Sequence, residues 1–343
     1  VEKYQAIWFV LWGVLWAVYF MLDGFDLGAG VLEPFLGRND DERRVIVNTL
    51  GPVWDGNEVW LITAGGATFA AFPAVYAELF SYLYTPLLII LFALIVRGVA
   101  FEFRGKEEGA GWRRLWDAAI FVGSFLPALL FGVAFGNIFQ GLPMDADGYH
   151  GSLVGLLNPY GLITGALFVL LFVVHGSLWI SMRAGNGVGE RAQALAGKLW
   201  YALLVVAVAF LAYTKFATDL YNNFMFFKVM LVLPGAAVLG LLGIKVFQAK
   251  GRPGLAFLSS CVTIVMVVFT GLFGLYPRLL PSSLNPAYTL NAFNSSSSEY
   301  TLKIMTVVAL VFVPIVIVYQ ILIYRVFRGK LSVEDVKGDT QAY

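Results

Sequence analysis

Apolar stretches of roughly 20 residues, each long enough as a helix to cross a hydrocarbon core of about 30 Å, recur along almost the whole chain. They fall at about 6–32, 50–72, 79–101, 118–140, 160–182, 195–214, 226–248, 254–276 and 303–326. A water-facing surface on 343 residues needs far more than 13% charged side chains against 59% hydrophobic ones, so lipid is the expected solvent. Strand-like alternation is absent, which favours helices over a barrel as the way to satisfy backbone groups in lipid. The expected architecture is an all-α polytopic membrane protein: a single membrane domain over 1–343 with nine transmembrane helices. Counting suggests two four-helix bundles plus one peripheral helix. The first stretch is too long and too aromatic for a cleaved signal segment and is expected to be retained.

The basic residues are sorted by this arrangement. Nine spans place 18 of the 23 Lys and Arg residues on one side and five (Lys3, Lys215, Lys228, Arg278, Lys303) on the other. Such a bias puts the amino terminus outside and the carboxyl terminus in the cytoplasm of a bacterial inner membrane. The two longest loops, about 141–159 and 277–302, then face outward, and the run Ser295 to Ser298 reads as a flexible loop. One cysteine, Cys261, excludes a disulfide framework or a thiolate cluster. No basic stretch is interleaved with aromatics, so nucleic acid is not an expected partner.

Carboxylates inside a bilayer cost roughly 2.5–3.5 kcal/mol each on insertion scales, and here they gather in the first two spans. Asp23 and Asp26 lie in the first, Asp55 and Glu58 in the second. Each pair is spaced i, i+3, which predicts a shared helix face. If the second span begins near residue 45, Asp55 reaches the depth of Asp23, about 6 Å to the cytoplasmic side of the middle of span one. Gly24, Gly28 and Gly30 on one helix and Gly51 and Gly56 on the other would let the two backbones approach closely. Two readings stand side by side. The acids form a proton relay opening to the cytoplasm, or they are structural groups held by Arg97, by Asn57 and by the indoles of Trp54 or Trp60.

Histidine is nearly absent. His150 lies in an outward loop, where solvation is expected. His175, in the fifth span, is more readily explained by a hydrogen bond to a neighbouring helix than by heme ligation. Neither clustered His nor Glu-x-x-His pairs occur, so no metal site is expected.

Leu22-Asp23-Gly24-Phe25-Asp26-Leu27-Gly28, Gly37-Arg38-Asn39-Asp40 and Pro52-Val53-Trp54-Asp55-Gly56-Asn57-Glu58-Val59-Trp60-Leu61-Ile62 resemble subunit II of the cytochrome bd-type quinol oxidases. The likeness continues through Thr63-Ala64-Gly65-Gly66-Ala67, Arg113-Arg114-Leu115-Trp116-Asp117, Gly132-Val133-Ala134-Phe135-Gly136-Asn137, Leu157-Asn158-Pro159-Tyr160-Gly161-Leu162 and Tyr276-Pro277 with Pro281-Ser282-Ser283. It implies a nine-helix partner to a heme-bearing subunit I that holds hemes b and d, with no cofactor bound by this chain. It leaves room for a small single-helix subunit. The implied complex oxidises quinol, reduces oxygen to water and takes its protons from the cytoplasm without pumping, and this chain is not catalytic alone. The resemblance also implies that Asp23 and Asp55 serve the proton path or heme incorporation in the partner. Glu58 departs from relatives with Gln there, and Val53 from those with His or Phe. The segment around Thr218 to Phe224 is shorter than in some members, so the structural quinone of certain relatives is not carried over. A proton-coupled transporter and a purely structural scaffold subunit are the competing functions.

Overall fold

The computed structural model describes residues 2–185 and 187–338. Thirteen α-helices run in the order α1 (Glu2–Leu36), α2 (Asp40–Leu50), α3 (Trp54–Ala71), α4 (Pro73–Tyr82), α5 (Tyr84–Phe103), α6 (Ala110–Gln140), α7 (Pro159–Arg183), α8 (Val188–Ala217), α9 (Tyr221–Phe226), α10 (Val232–Ala249), α11 (Pro253–Leu275), α12 (Glu299–Val326) and α13 (Val333–Gly338). Their starts follow from local chemistry. Asn39 caps α2 by accepting from the Glu42 amide, Asn158 caps α7 ahead of Pro159, and Ser298 caps α12.

α1, α3, α5 and α6 pack as one group and α7, α8, α10 and α11 as a second, joined mainly by α1 and α6 against α7. α12 lies outside both, chiefly against α1 and α3. Two bundles with a peripheral helix are therefore the observed architecture. The closest approach is at the bundle interface, where a Cβ on Gly28 would overlap the Phe172 carbonyl and one on Gly176 would overlap the Ala29 amide. Gly24 and Gly28 of α1 thus seat α7 and Gly30 seats α6, not α3 as the sequence suggested, while Gly56 of α3 faces open space apart from Gln320.

Among the described residues, eight helices are long and apolar enough to cross a membrane, and the expected second span is not one of them. α3 has 18 residues. Its first turns hold Asp55, Asn57 and Glu58, which dilute its apolarity. It does not begin near residue 45. The chain turns at Gly51 to Val53, with Pro52 lacking an amide to continue α2, so α2 is a separate amphipathic helix. α3 nevertheless runs antiparallel beside α1. Asn57 near its start bonds Asp26 late in α1, and Thr68 near its end accepts from Trp12 early in α1. The third expected span is divided at Leu83 into α4 and α5.

The two long loops are tied together at one end of the molecule. Each carries a two-stranded antiparallel hairpin, β1 (Met144–Asp145) with β2 (Gly148–Tyr149) and β3 (Arg278–Leu280) with β4 (Leu290–Asn291). Leu142 donates to the Pro281 carbonyl and accepts from Ser283. The serine run is not a slack tether. Ser295 donates to the Asn291 carbonyl, Ser296 accepts from Gln5, Ser297 donates to the Ala70 carbonyl, and Ser298 caps α12. Hydroxyls that look solvated in sequence are consumed in closing the loop onto the helix ends.

At the other end, where most Lys and Arg gather, arginines and aspartates form a lattice. Asp117 of α6 accepts from Arg104 at 2.5 Å and from Arg43 at 2.6 Å. Asp40 accepts from Arg104 and Arg113, and Glu42 from Arg191.

Candidate functional site

The two acids of α1 stay together where the sequence put them. Asp23 and Asp26 are completely buried, one turn apart, on the face of α1 turned toward α3 and α5. α5 supplies Arg97, also completely buried, from a helix whose other residues at that level are apolar. Its Nη1 donates to Glu58 Oε1 at 2.7 Å and to Asp23 Oδ1 at 3.2 Å. The guanidinium lies 5.4 Å from the centre of the Phe101 ring. Asn57 Nδ2 donates to Asp26 Oδ2 at 2.6 Å, and the Asn57 carbonyl oxygen accepts from Tyr324 at 2.8 Å. Five of the residues singled out in the sequence, Asp23, Asp26, Asn57, Glu58 and Arg97, therefore meet in one cluster.

Asp55 does not join it. Asp55 is exposed in this chain and makes no ion pair among the described residues, although it lies near enough for its charge to act on Glu58. At the start of α3 the i, i+3 spacing does not give one face: Glu58 turns inward to Arg97 and Asp55 outward. Nor do the indoles hold the acids. Trp60 donates to Gln320 at 3.0 Å, and Trp54 packs against Phe101 and over Gly98.

The cluster is incompletely satisfied. Asp26 Oδ1 and Arg97 Nε and Nη2 are buried without a hydrogen-bond partner, and the buried Tyr19 hydroxyl lies against the Asp23 carboxylate. One guanidinium faces three carboxylates, so full ionisation would leave two uncompensated negative charges at a depth where even one is costly. Carboxylates in surplus over a single cation are groups at which a proton can bind in place of a counter-charge. Its side toward the surface is Glu58, with 19% of its side chain exposed, beside the exposed flank that carries Asp55.

Sequence reasoning missed Tyr19, Gln320 and Tyr324. The last two come from α12, about 260 residues along from α3. Their only local signal is an i, i+4 pair of polar side chains in a helix otherwise apolar at that level.

His175 is completely buried with both ring nitrogens engaged, Nδ1 to Ser260 at 2.6 Å and Nε2 to the Met21 carbonyl at 2.9 Å, and its ring stacks on Phe257. These bonds tie α7 to α11 and α1 and occupy the atoms a heme iron would need. His150 is exposed and lies 2.7 Å from Asp145, whose carboxyl is held below the usual aspartate range by that contact and by the Asp147 amide.

Residues 4–327 match the family described as cytochrome bd terminal oxidase subunit II. The chain is 40% identical over 327 residues to cytochrome bd ubiquinol oxidase subunit 2 of Bacillus subtilis, covering 95% of this chain and 96% of that one. It is 35% identical over 376 residues to cytochrome bd-I ubiquinol oxidase subunit 2 of Escherichia coli K12, covering 99% and 98%. A chain of the bd oxidase structure from Geobacillus thermodenitrificans superposes with a TM-score of 0.78 at 19% identity, over 95% of this chain and 98% of that one, which shows the shared fold. With the match spanning nearly its whole length, this chain belongs to the cytochrome bd terminal oxidase subunit II family.

Proposed function

We propose that this chain, as subunit II of a bacterial cytochrome bd-type oxidase, supports its heme-bearing partner and carries protons from the cytoplasm toward it. Membership of the family implies a partner subunit I and a place in a respiratory membrane oxidoreductase. The observation that carries the proton reading is the Arg97 cluster, which holds three carboxylates against a single cation. Protons are the counter-charge that makes such a cluster tolerable in lipid, and a group that binds protons at that depth can pass them on.

Orientation follows from the lattice end. Eighteen of 23 basic residues belong to segments at that end, which would face the cytoplasm. α3 then counts as a ninth crossing. It runs antiparallel to α1, and α12 runs parallel to α1, since Trp8 meets Leu302 and Thr306 while Tyr324 reaches Asn57 beside Asp26. At about 1.5 Å per residue, its length is close to the core of a thin bilayer. Both termini then lie on opposite sides, amino end outside.

The hemes expected in the partner would supply electron transfer and oxygen reduction. Residues of this chain do not suit axial ligation, because both nitrogens of His175 are committed and His150 lies in a surface loop. This chain's own part is to bind, hold and release protons at the oxygens of Asp23, Asp26 and Glu58. Asp55, on the exposed flank of α3, faces the surface where a partner subunit or lipid must lie. The scaffold reading retains one specific support, the Arg97 bridges, which link α1, α3 and α5. The transporter reading gives way to family membership.

Asp23→Asn and Asp55→Asn separate the two, since each keeps shape and removes the titrating group. In the purified two-subunit complex, turnover per heme should fall about tenfold or more in Asp23→Asn while heme content holds. Reduced heme content with normal turnover per heme would leave only the scaffold.

A further inference from the structure

Glu33, ten residues beyond Asp23 on α1, is used by nothing described so far. Its side chain is 1% exposed, and neither carboxylate oxygen receives a hydrogen bond. The nearest cation, Arg43 Nε on α2, is 3.7 Å away and already donates to the Gly37 carbonyl. The other charged groups facing Glu33 are Asp117 of α6, Arg104 just after α5, and Asp40 of α2. Asp117 and Asp40 are each bonded by two arginines. Among the described residues, Glu33 is thus the acid at this end that is buried in the lattice and not locked by it.

Glu33 also has a direction in which to pass a proton. At 100° per residue, Asp23, Asp26, Gly30 and Glu33 fall within about a quarter of the circumference of α1. Asp26 and Glu33 are two turns, about 10 Å, apart along the axis. Between them the Ser124 hydroxyl of α6 sits on the Gly30 backbone, in space that a Cβ there would fill, and it too is buried without a partner. A hydroxyl can accept a proton on one side and release one on the other, which a methyl cannot.

Resting on the proton-path reading above, we propose that Glu33 is the group that loads protons from the basic end onto the relay, with Ser124 as the intermediate station toward Asp26 and Asp23. Glu33 carboxylate takes one proton from cytoplasmic water. That proton passes by way of internal water to the Ser124 oxygen as the serine's own proton leaves toward Asp26. Glu33 returns to carboxylate and is reloaded; no electron moves, and each proton delivered is matched by one taken up.

The test uses the two-subunit oxidase in liposomes, with heme content, oxygen consumption per heme, internal alkalinisation and the solvent deuterium isotope effect read on the same samples. Glu33→Gln should keep its hemes, slow turnover per heme and proton uptake about tenfold, and raise the isotope effect, while Glu33→Asp recovers most of the rate. Ser124→Ala, which removes only the hydroxyl, should slow uptake about threefold. Normal turnover per heme in Glu33→Gln, with or without heme loss, overturns the proposal. If Glu33→Gln does not assemble, Ser124→Ala decides, and normal uptake there overturns it equally. Slow Asp23→Asn with normal Glu33→Gln removes Glu33 alone; normal rates in both remove the relay itself.

Discussion

Two sets of arginines and acids, one buried between α1, α3 and α5 and one at the basic end, use the same chemistry in opposite proportion. At the basic end, Arg43, Arg104 and Arg113 share Asp117 and Asp40, so each of these acids meets two cations at 2.5–2.8 Å. In the Arg97 cluster the ratio is inverted, and orphaned polar atoms remain on Asp26 and on Arg97 itself. The lattice lies near water, where ion pairs are modest and redundancy makes them dependable. The cluster is buried among helices long and apolar enough to cross a membrane, where an unsatisfied polar group is expensive. The difference teaches that the first arrangement is balanced charge that fastens helix ends, while the second carries a surplus of acid over cation, which is what the proposed proton path requires.

Breaking the deeper set should have the larger effect. Arg97→Leu leaves three acids without a cation, and loss of a buried partner costs about 3–5 kcal/mol, enough to abolish assembly. Arg97→Lys should retain part of it, because a single point charge can still reach Glu58 or Asp23. Yield and heme content of the two complexes, compared side by side, measure this, and equal values would end the claim that Arg97 balances the cluster.

The lattice should tolerate an equivalent loss better. Arg104→Leu removes bonds to Asp117 and Asp40, yet Arg43 and Arg113 still hold those acids. The expected cost is about 2 kcal/mol, seen as a lowered thermal midpoint of the solubilised complex. A loss as large as that of Arg97→Leu would erase the distinction between the two sets.

Smaller still is Tyr324→Phe, which takes one hydrogen bond from Asn57 and should cost about 1 kcal/mol by the same thermal measurement. An unchanged midpoint would place α12 outside the cluster's support.

The least effect is expected in the loops. Asp145 is held below the usual aspartate range by His150, so its contribution is present above the ordinary value and lost as pH falls through the lowered one. Hydrogen exchange in the hairpin of β1 and β2 should therefore quicken only below about pH 4, and Asp145→Asn should remove that acid step. A step that survives in the variant would assign it to another group.

Much of this was legible before folding was considered. Apolar length identified the membrane helices, since burial of a whole helix surface in lipid needs no knowledge of its neighbours. The acids stood out because nothing local justifies a carboxylate in such a run, and Arg97 because only a charge compensates it. The family likeness came from contiguous motifs around these same residues. Less legible were the breaks at Gly51 to Val53 and at Leu83, where short helices abut longer ones and hydropathy averages across them.

By itself, then, the sequence determined the solvent, the helical class, the sidedness bias and the presence of charge within apolar spans, all of which depend on composition along the chain and not on which helices meet. Only the tertiary structure decided that Glu58 turns to Arg97 while Asp55 turns away, that Gly24 and Gly28 receive α7 and Gly30 receives α6, and that Tyr324 reaches Asn57 across 267 residues. Helix rotation and partner choice are set by the fit of whole surfaces. In lipid no hydrophobic stripe marks the inward face, so local periodicity carries no instruction for either.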